Sequence, residues 1–168
     1  MVHMNFLLLI NLLIVRITAE EERYFLHTKS GARLQGYIWR PKPGEPVKAL
    51  VFISHGYAEL ITPYYNQLAI DGSKTGFVMF GHDHVGHGRS EGKRAQAGNI
   101  QEYVDPVIQH CREVKYKYPD APLFIIGHSM GGLIALLTIL QTQVRNFLQL
   151  FLIIFKTKCI DGKEENVP

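Results

Sequence analysis

Four apolar residues, Leu123-Phe124-Ile125-Ile126, run straight into Gly127-His128-Ser129-Met130-Gly131-Gly132. The run is short, continuous and bounded by turn signals, Pro122 before it and Gly127 after it. That pattern suits a strand buried on both faces. The following stretch, residues 133–143, is rich in Leu, Ala and Ile and reads as a helix. Gly-x-Ser-x-Gly therefore falls between a strand and a helix, the context in which it forms a sharp turn with the serine at its tip. Gly127 and Gly131 leave out the Cβ atoms that would crowd such a turn, and Ser129 takes the strained angles at the apex. The competing reading of the same residues is a glycine-rich turn in which Ser129 caps a helix.

The rest of the chain supplies a sheet for that turn. Tyr24-Phe25-Leu26-His27-Thr28 and Arg33-Leu34-Gln35-Gly36-Tyr37-Ile38-Trp39 read as two strands joined by a hairpin turn at Lys29-Ser30-Gly31-Ala32. Pro41, Pro43, Gly44 and Pro46 mark a loop. Ala49-Leu50-Val51-Phe52-Ile53 and Phe77-Val78-Met79-Phe80 read as buried strands. Between them a helix is expected from near Pro63, with Asp71-Gly72 ending it. An amphipathic helix follows, because Val104, Val107, Ile108, Cys111 and Val114 obey the i, i+3, i+4, i+7 rule. Pro106 places its first turn, with Asp105 as N-cap. A last apolar run over residues 147–155 reads as one more strand, and residues 156–168 as a polar tail. Strands alternating with helices after a leading hairpin predict an α/β fold with a mostly parallel sheet and helices on both faces.

Composition narrows the function classes. The 168 residues suffice for one domain with a real core. The net charge of +3 is scattered, with Lys115 and Lys117 on a helix face and Lys93-Arg94 in a loop, so no nucleic-acid surface is expected. Cys111 and Cys159 are far apart and read as unpaired thiols; no metal or cofactor is expected. Residues 6–15 form an apolar run of signal-peptide length, too short to span a bilayer as a helix. Ala19 before Glu20 offers a cleavage point, whereas no Lys or Arg precedes the run and Arg16 follows it. Residues 1–20 are read as a signal peptide or short membrane anchor, residues 22–155 as the folded domain. The alternative is an apolar N-terminal segment that packs on the domain, or a wrongly chosen start.

A serine hydroxyl is a poor nucleophile near neutral pH. It needs a base, a carboxylate that orients the base, and two N–H donors for the oxyanion that forms. In a strand–serine–helix turn those donors are the N–H after the nucleophile, here Met130, and one from the loop after an earlier strand. His55-Gly56-Tyr57 lies on such a loop, which makes Tyr57 N–H the second donor. The alternative is a glycine-containing loop with no special role.

Three segments now carry a resemblance: Ser54-His55-Gly56, then His82-Asp83-His84-Val85-Gly86-His87-Gly88-Arg89-Ser90-Glu91-Gly92, then Gly127-His128-Ser129-Met130-Gly131-Gly132. In order and spacing the chain resembles the monoacylglycerol lipases, α/β-hydrolases of the serine aminopeptidase type. The resemblance runs from Tyr24 to near Gln143, about the first half of a full family member. It implies Ser129 as nucleophile, Tyr57 and Met130 as oxyanion N–H donors, and the His82–Gly92 loop as a brace. His55 and His128 are then flanking motif residues. It also implies a monoacylglycerol or similar lipid ester as substrate, no cofactor, and a peripheral membrane contact. Localisation follows the N-terminus: membrane-associated or secretory if that segment is a real signal, otherwise cytoplasm or peripheral membrane.

The chain departs from the family in several places. Ala58 stands where the family usually has Gly, and Leu60 where it usually has His. The family order is Ser, then Asp or Glu, then His. After Ser129 the sequence holds Asp161, Glu164 and Glu165 but no histidine. The chain as given lacks the triad Asp and His and the family's lid, and is expected to be inactive alone. Recruitment of an upstream histidine (His3, His27, His55, His82, His84, His87, His110 or His128), or of Asp83 as acid, is not expected. The alternatives are a non-catalytic fragment that binds lipid or a partner, and a related lipid esterase or lysophospholipase.

Overall fold

A computed structural model describes residues 21–96 and 99–142. The expected N-terminal signal or anchor, the strand over 147–155, the polar tail and Cys159 lie outside the described residues. Five strands and three helices alternate within them. These are β1 (Glu21–His27), β2 (Arg33–Trp39), β3 (Ala49–Ser54), α1 (Asn66–Lys74), β4 (Phe77–His82), α2 (Gln101–Lys117), β5 (Leu123–Gly127) and α3 (Met130–Thr142).

The strand order is β1-β2-β4-β3-β5. β4, β3 and β5 are parallel, and the β1–β2 hairpin joins β4 antiparallel. The sheet is thus mixed: a parallel centre with an antiparallel flank. Alternation along each central strand sorts its side chains onto two faces. Leu50 and Phe52 of β3, Val78 and Phe80 of β4, and Leu123 and Ile125 of β5 pack with Val104, Val107 and Val114 of α2 and Ile134 and Ala135 of α3. Val51, Ile53 and Met79 face the other way and pack with Ala69 of α1, Tyr37 and Trp39. Helices therefore cover both faces, as the alternation implies.

The hairpin is pinned to α2 at two places: the His27 carbonyl accepts a hydrogen bond from Gln109 Nε2 at 2.8 Å, and Tyr24 meets His110. Tyr24 sits opposite Gly36 in the β1–β2 register, and a Cβ on Gly36 would lie 2.6 Å from the Tyr24 ring. With that space open, the ring lies flat on β2 and its hydroxyl pairs with Nε2 of the buried His110 on α2.

Two helix boundaries differ from those the residues predict. α1 runs through Gly72 to Lys74 and starts at Asn66, three residues after Pro63. Gly72 is there for close approach: a Cβ would lie 2.5 Å from Met79 Sδ of β4. The residue that ends the helix is Gly76, at φ +99°, in the left-handed region that glycine tolerates best. α2 begins at Gln101, so Asp105 is not its cap and Pro106 lies inside it. The start is marked by Asn99, whose Oδ1 accepts the Gln101 N–H at 3.0 Å. Pro106 removes one interior backbone bond, and packing of Tyr103, Val104 and Val107 on the sheet outweighs the loss.

Candidate active site

The parallel register of β3 and β5 builds the site. Ser54 at the end of β3 pairs with Gly127 at the end of β5, so the loops leaving both strands emerge side by side. His128 N–H donates to Ser54 O at 3.2 Å and ties the two loops together. The chain then turns through Ser129, at φ +51°, directly into α3. Two glycines allow this. A Cβ on Gly131 would lie 2.0 Å from Ser54 O, and one on Gly127 would lie 2.4 Å from Gly131 O. Ser129 is exposed at the tip, and its hydroxyl makes no hydrogen bond among the described residues.

The two N–H groups expected to hold an oxyanion lie on the two loops that the Ser54–Gly127 pairing brings side by side. Met130 opens α3, where the first N–H groups of a helix have no intrahelical acceptor. Tyr57 lies in the loop after β3. Neither N–H donates to another group among the described residues, whereas the N–H groups of Gly131 and Gly132 bond back to His128 O and Ser129 O. Next in the loop, Ala58 adopts φ +58°. Glycine tolerates this left-handed angle best, in keeping with the glycine that the family resemblance implies at that position.

The histidines are occupied elsewhere. His55 donates from Nδ1 to Gly56 O at 2.8 Å and accepts His84 N–H on Nε2 at 2.8 Å, joining the loops after β3 and β4. Burial lowers its pKa to about 4. His84 Nε2 lies 3.2 Å from Ser54 Oγ, and His82 Nδ1 lies 3.1 Å from His110 Nδ1. Burial, reinforced by neighbouring imidazoles, holds His82 and His84 well below the ordinary histidine value. Burial brings His110 to about 3. His87 Nδ1 contacts Val85 O at 2.9 Å, and His27 is exposed on β1, the far edge of the sheet. Among the described residues no histidine bonds to Ser129, and no group of three or more His, Cys, Asp or Glu is arranged to hold a metal ion.

Asp83 is equally committed. Oδ1 accepts Ile61 N–H at 2.8 Å; Oδ2 accepts Arg89 N–H at 2.9 Å and the Tyr37 hydroxyl at 3.1 Å. A Cβ on Gly88 would lie 2.1 Å from that oxygen. Ser90 Oγ donates to Asp83 O and accepts Gln35 N–H at 2.9 Å. The His82–Gly92 loop is thereby bonded to β2 and to the loop that follows β3.

Glu59 is the residue that the sequence reading left without a role. Its Oε2 accepts Gly56 N–H at 2.8 Å and the Tyr65 hydroxyl at 2.6 Å, and its Oε1 lies 2.9 Å from His128 Nδ1. Burial works against the charged carboxylate, but the Tyr65, Gly56 and His128 contacts outweigh it and hold Glu59 below its ordinary value. The available signal was its spacing, three residues after a glycine whose N–H needs an acceptor.

A strand–serine–helix turn over the parallel centre of a mixed sheet defines an α/β-hydrolase. Residues 45–154 match the serine aminopeptidase S33 family, and the chain belongs to that family. It is 46% identical over 99 residues to the monoglyceride lipase of Mus musculus, covering 59% of this chain and 32% of that protein. It is 46% identical over 96 residues to a monoglyceride lipase homolog of Monkeypox virus, covering 57% of this chain and 34% of that protein. The fold matches a soluble variant of monoglyceride lipase from Saccharomyces cerevisiae, solved with a substrate analog. That match has a TM-score of 0.67 at 25% identity and covers 80% of this chain and 43% of that one. The chain spans about a third of the length of the curated relatives it matches.

Proposed function

We propose that this chain carries the nucleophile and oxyanion elements of a serine ester hydrolase acting on monoacylglycerols. Ser129 Oγ attacks the ester carbonyl carbon, and the carbonyl oxygen becomes an oxyanion held by the N–H groups of Tyr57 and Met130. The serine proton passes to a base and then to the departing glycerol oxygen as the C–O bond breaks. Water then hydrolyses the acyl-serine to release the fatty acid. The base and its orienting acid are a histidine and a carboxylate outside the described residues, in the Ser, Asp or Glu, His order of this fold. An oxyanion hole without its triad retains about 10³–10⁴-fold over water in other hydrolases. The observation that carries the reading is the exposed Ser129 at φ +51° in the turn between β5 and α3, beside an N–H with no acceptor.

Fluorophosphonate labelling tests it. Without the base, label is expected to accumulate only slowly on the wild-type chain, at Ser129, and to be absent from Ser129→Ala. Equal labelling of both proteins would refute the proposal. Exposed Leu133, Leu136 and Leu140 along one side of α3 favour a second reading, a fragment that binds lipid or a partner without catalysis. Failure of a folded preparation to label would favour that reading.

A further inference from the structure

Glu59 joins three segments: the loop after β3, the serine turn and the start of α1. Gly56 belongs to the loop that holds Tyr57. His128 is the residue before Ser129. Tyr65 stands immediately ahead of α1. One carboxylate, three-quarters or more withdrawn from solvent, reaches all three at 2.6–2.9 Å. The packing leaves no slack: a Cβ on Gly56 would lie 3.0 Å from both Glu59 Oε2 and His128 Nδ1.

We propose that Glu59 is a positioning residue that clamps the Tyr57 loop against the serine turn and so sets the reactivity of Ser129. The inference rests on the hydrolase reading above for its effect on Ser129, but the clamp itself is a separate structural claim. By accepting the Gly56 N–H, Glu59 fixes the His55–Gly56 peptide, while His55 Nδ1–H and the Glu59 N–H hold the carbonyl of the next peptide, the one that carries the Tyr57 N–H. By meeting His128, it fixes that loop relative to the residue next to the nucleophile. Ala58 makes such a restraint necessary, because its left-handed backbone is strained and the loop would otherwise relax. Tyr65 anchors the other end of the carboxylate to the start of α1, so the clamp is referenced to the sheet rather than to a mobile loop.

The carboxylate acts here chiefly as an acceptor. Glu59→Gln keeps one oxygen for Gly56 N–H and the Tyr65 hydroxyl and presents an amide N–H to His128 Nδ1, which accepts it once the neutral ring carries its proton on Nε2. Glu59→Ala removes all three contacts. Tyr65→Phe removes one and serves if the alanine variant does not fold.

Two readouts are taken on the whole chain: the rate of fluorophosphonate labelling at Ser129, and hydrogen exchange at the Gly56 amide with the β3 amides as reference. Glu59→Ala should label about tenfold or more slowly, since misplacing an oxyanion donor is costly. Its Gly56 amide should exchange at least tenfold faster while β3 is unchanged. Glu59→Gln should stay within about threefold of wild type in both, and Tyr65→Phe should fall between. A Glu59→Ala or Tyr65→Phe chain with wild-type Gly56 exchange would overturn the clamp, as would faster exchange spread equally over β3. An unlabelled wild-type chain overturns the hydrolase reading, and the exchange data then decide the clamp by themselves.

Discussion

Ser129 and Ala58 both hold a positive φ without being glycine, at 51° and 58°. They carry the strain for different reasons. At Ser129 the angle lifts the hydroxyl out of the turn, and Gly127 and Gly131 make room for it. At Ala58 no contact requires the methyl group, so the strain there is removable. Ala58→Gly should raise stability by about 1 kcal/mol, less the extra backbone entropy glycine loses on folding. A thermal or urea melt of the two proteins checks this, and a less stable glycine variant would contradict it. The serine turn was legible in the sequence because a local pattern, apolar run then Gly-x-Ser-x-Gly, encodes it. Glu59 was not legible as a clamp, because two of its partners, Tyr65 and His128, meet it only once α1 and β5 pack beside β3.

At the scale of elements, the strands were read well and two helix ends were not. The boundaries of the central strands follow from runs of apolar residues buried on both faces, whereas the exposed edge strand β1 starts at Glu21, three polar residues before the expected Tyr24, and ends at His27. Gly72 reads as a terminator, yet it is a contact glycine beneath Met79, and Gly76 four residues later ends the helix. Pro106 reads as a first-turn residue, yet tertiary burial of the preceding turn carries α2 back to Gln101. The His82–Gly92 loop was recognisable as a distinctive run, but its physical purpose required coordinates. Asp83 satisfies Ile61 N–H, Arg89 N–H and the Tyr37 hydroxyl with one buried carboxylate. Asp83→Ala strands those donors and should cost about 3–5 kcal/mol, read as a fall in urea midpoint or loss of soluble protein. A change below about 1 kcal/mol would show that the loop does not brace the site.

At the scale of the whole molecule, four of the five buried imidazoles among the described residues shape the response to acid. His55, His82, His84 and His110 all titrate below the ordinary histidine value, chiefly because burial disfavours their charged forms. Below about pH 6.5 the unfolded chain therefore binds more protons than the folded one. The stability these histidines contribute is present in full above that value and falls as pH drops toward about 4, where His55 titrates in the fold. Each histidine contributes a slope of up to about 1.4 kcal/mol per pH unit in that window. Melting temperature should be level from pH 8 to 7 and drop steeply from 6.5 to 5. A flat profile across that range would show that the cluster is not buried and neutral.

The role proposed for Ser129, presented by the turn between β5 and α3, is that of the reactive nucleophile of an ester hydrolase. The most direct test is peptide mapping by mass spectrometry after exposure to an activated medium-chain acyl ester. The account predicts one acyl group per chain, located on Ser129 and absent from Ser129→Ala. Acyl groups scattered over lysines, or an unmodified Ser129 in folded protein, would contradict it.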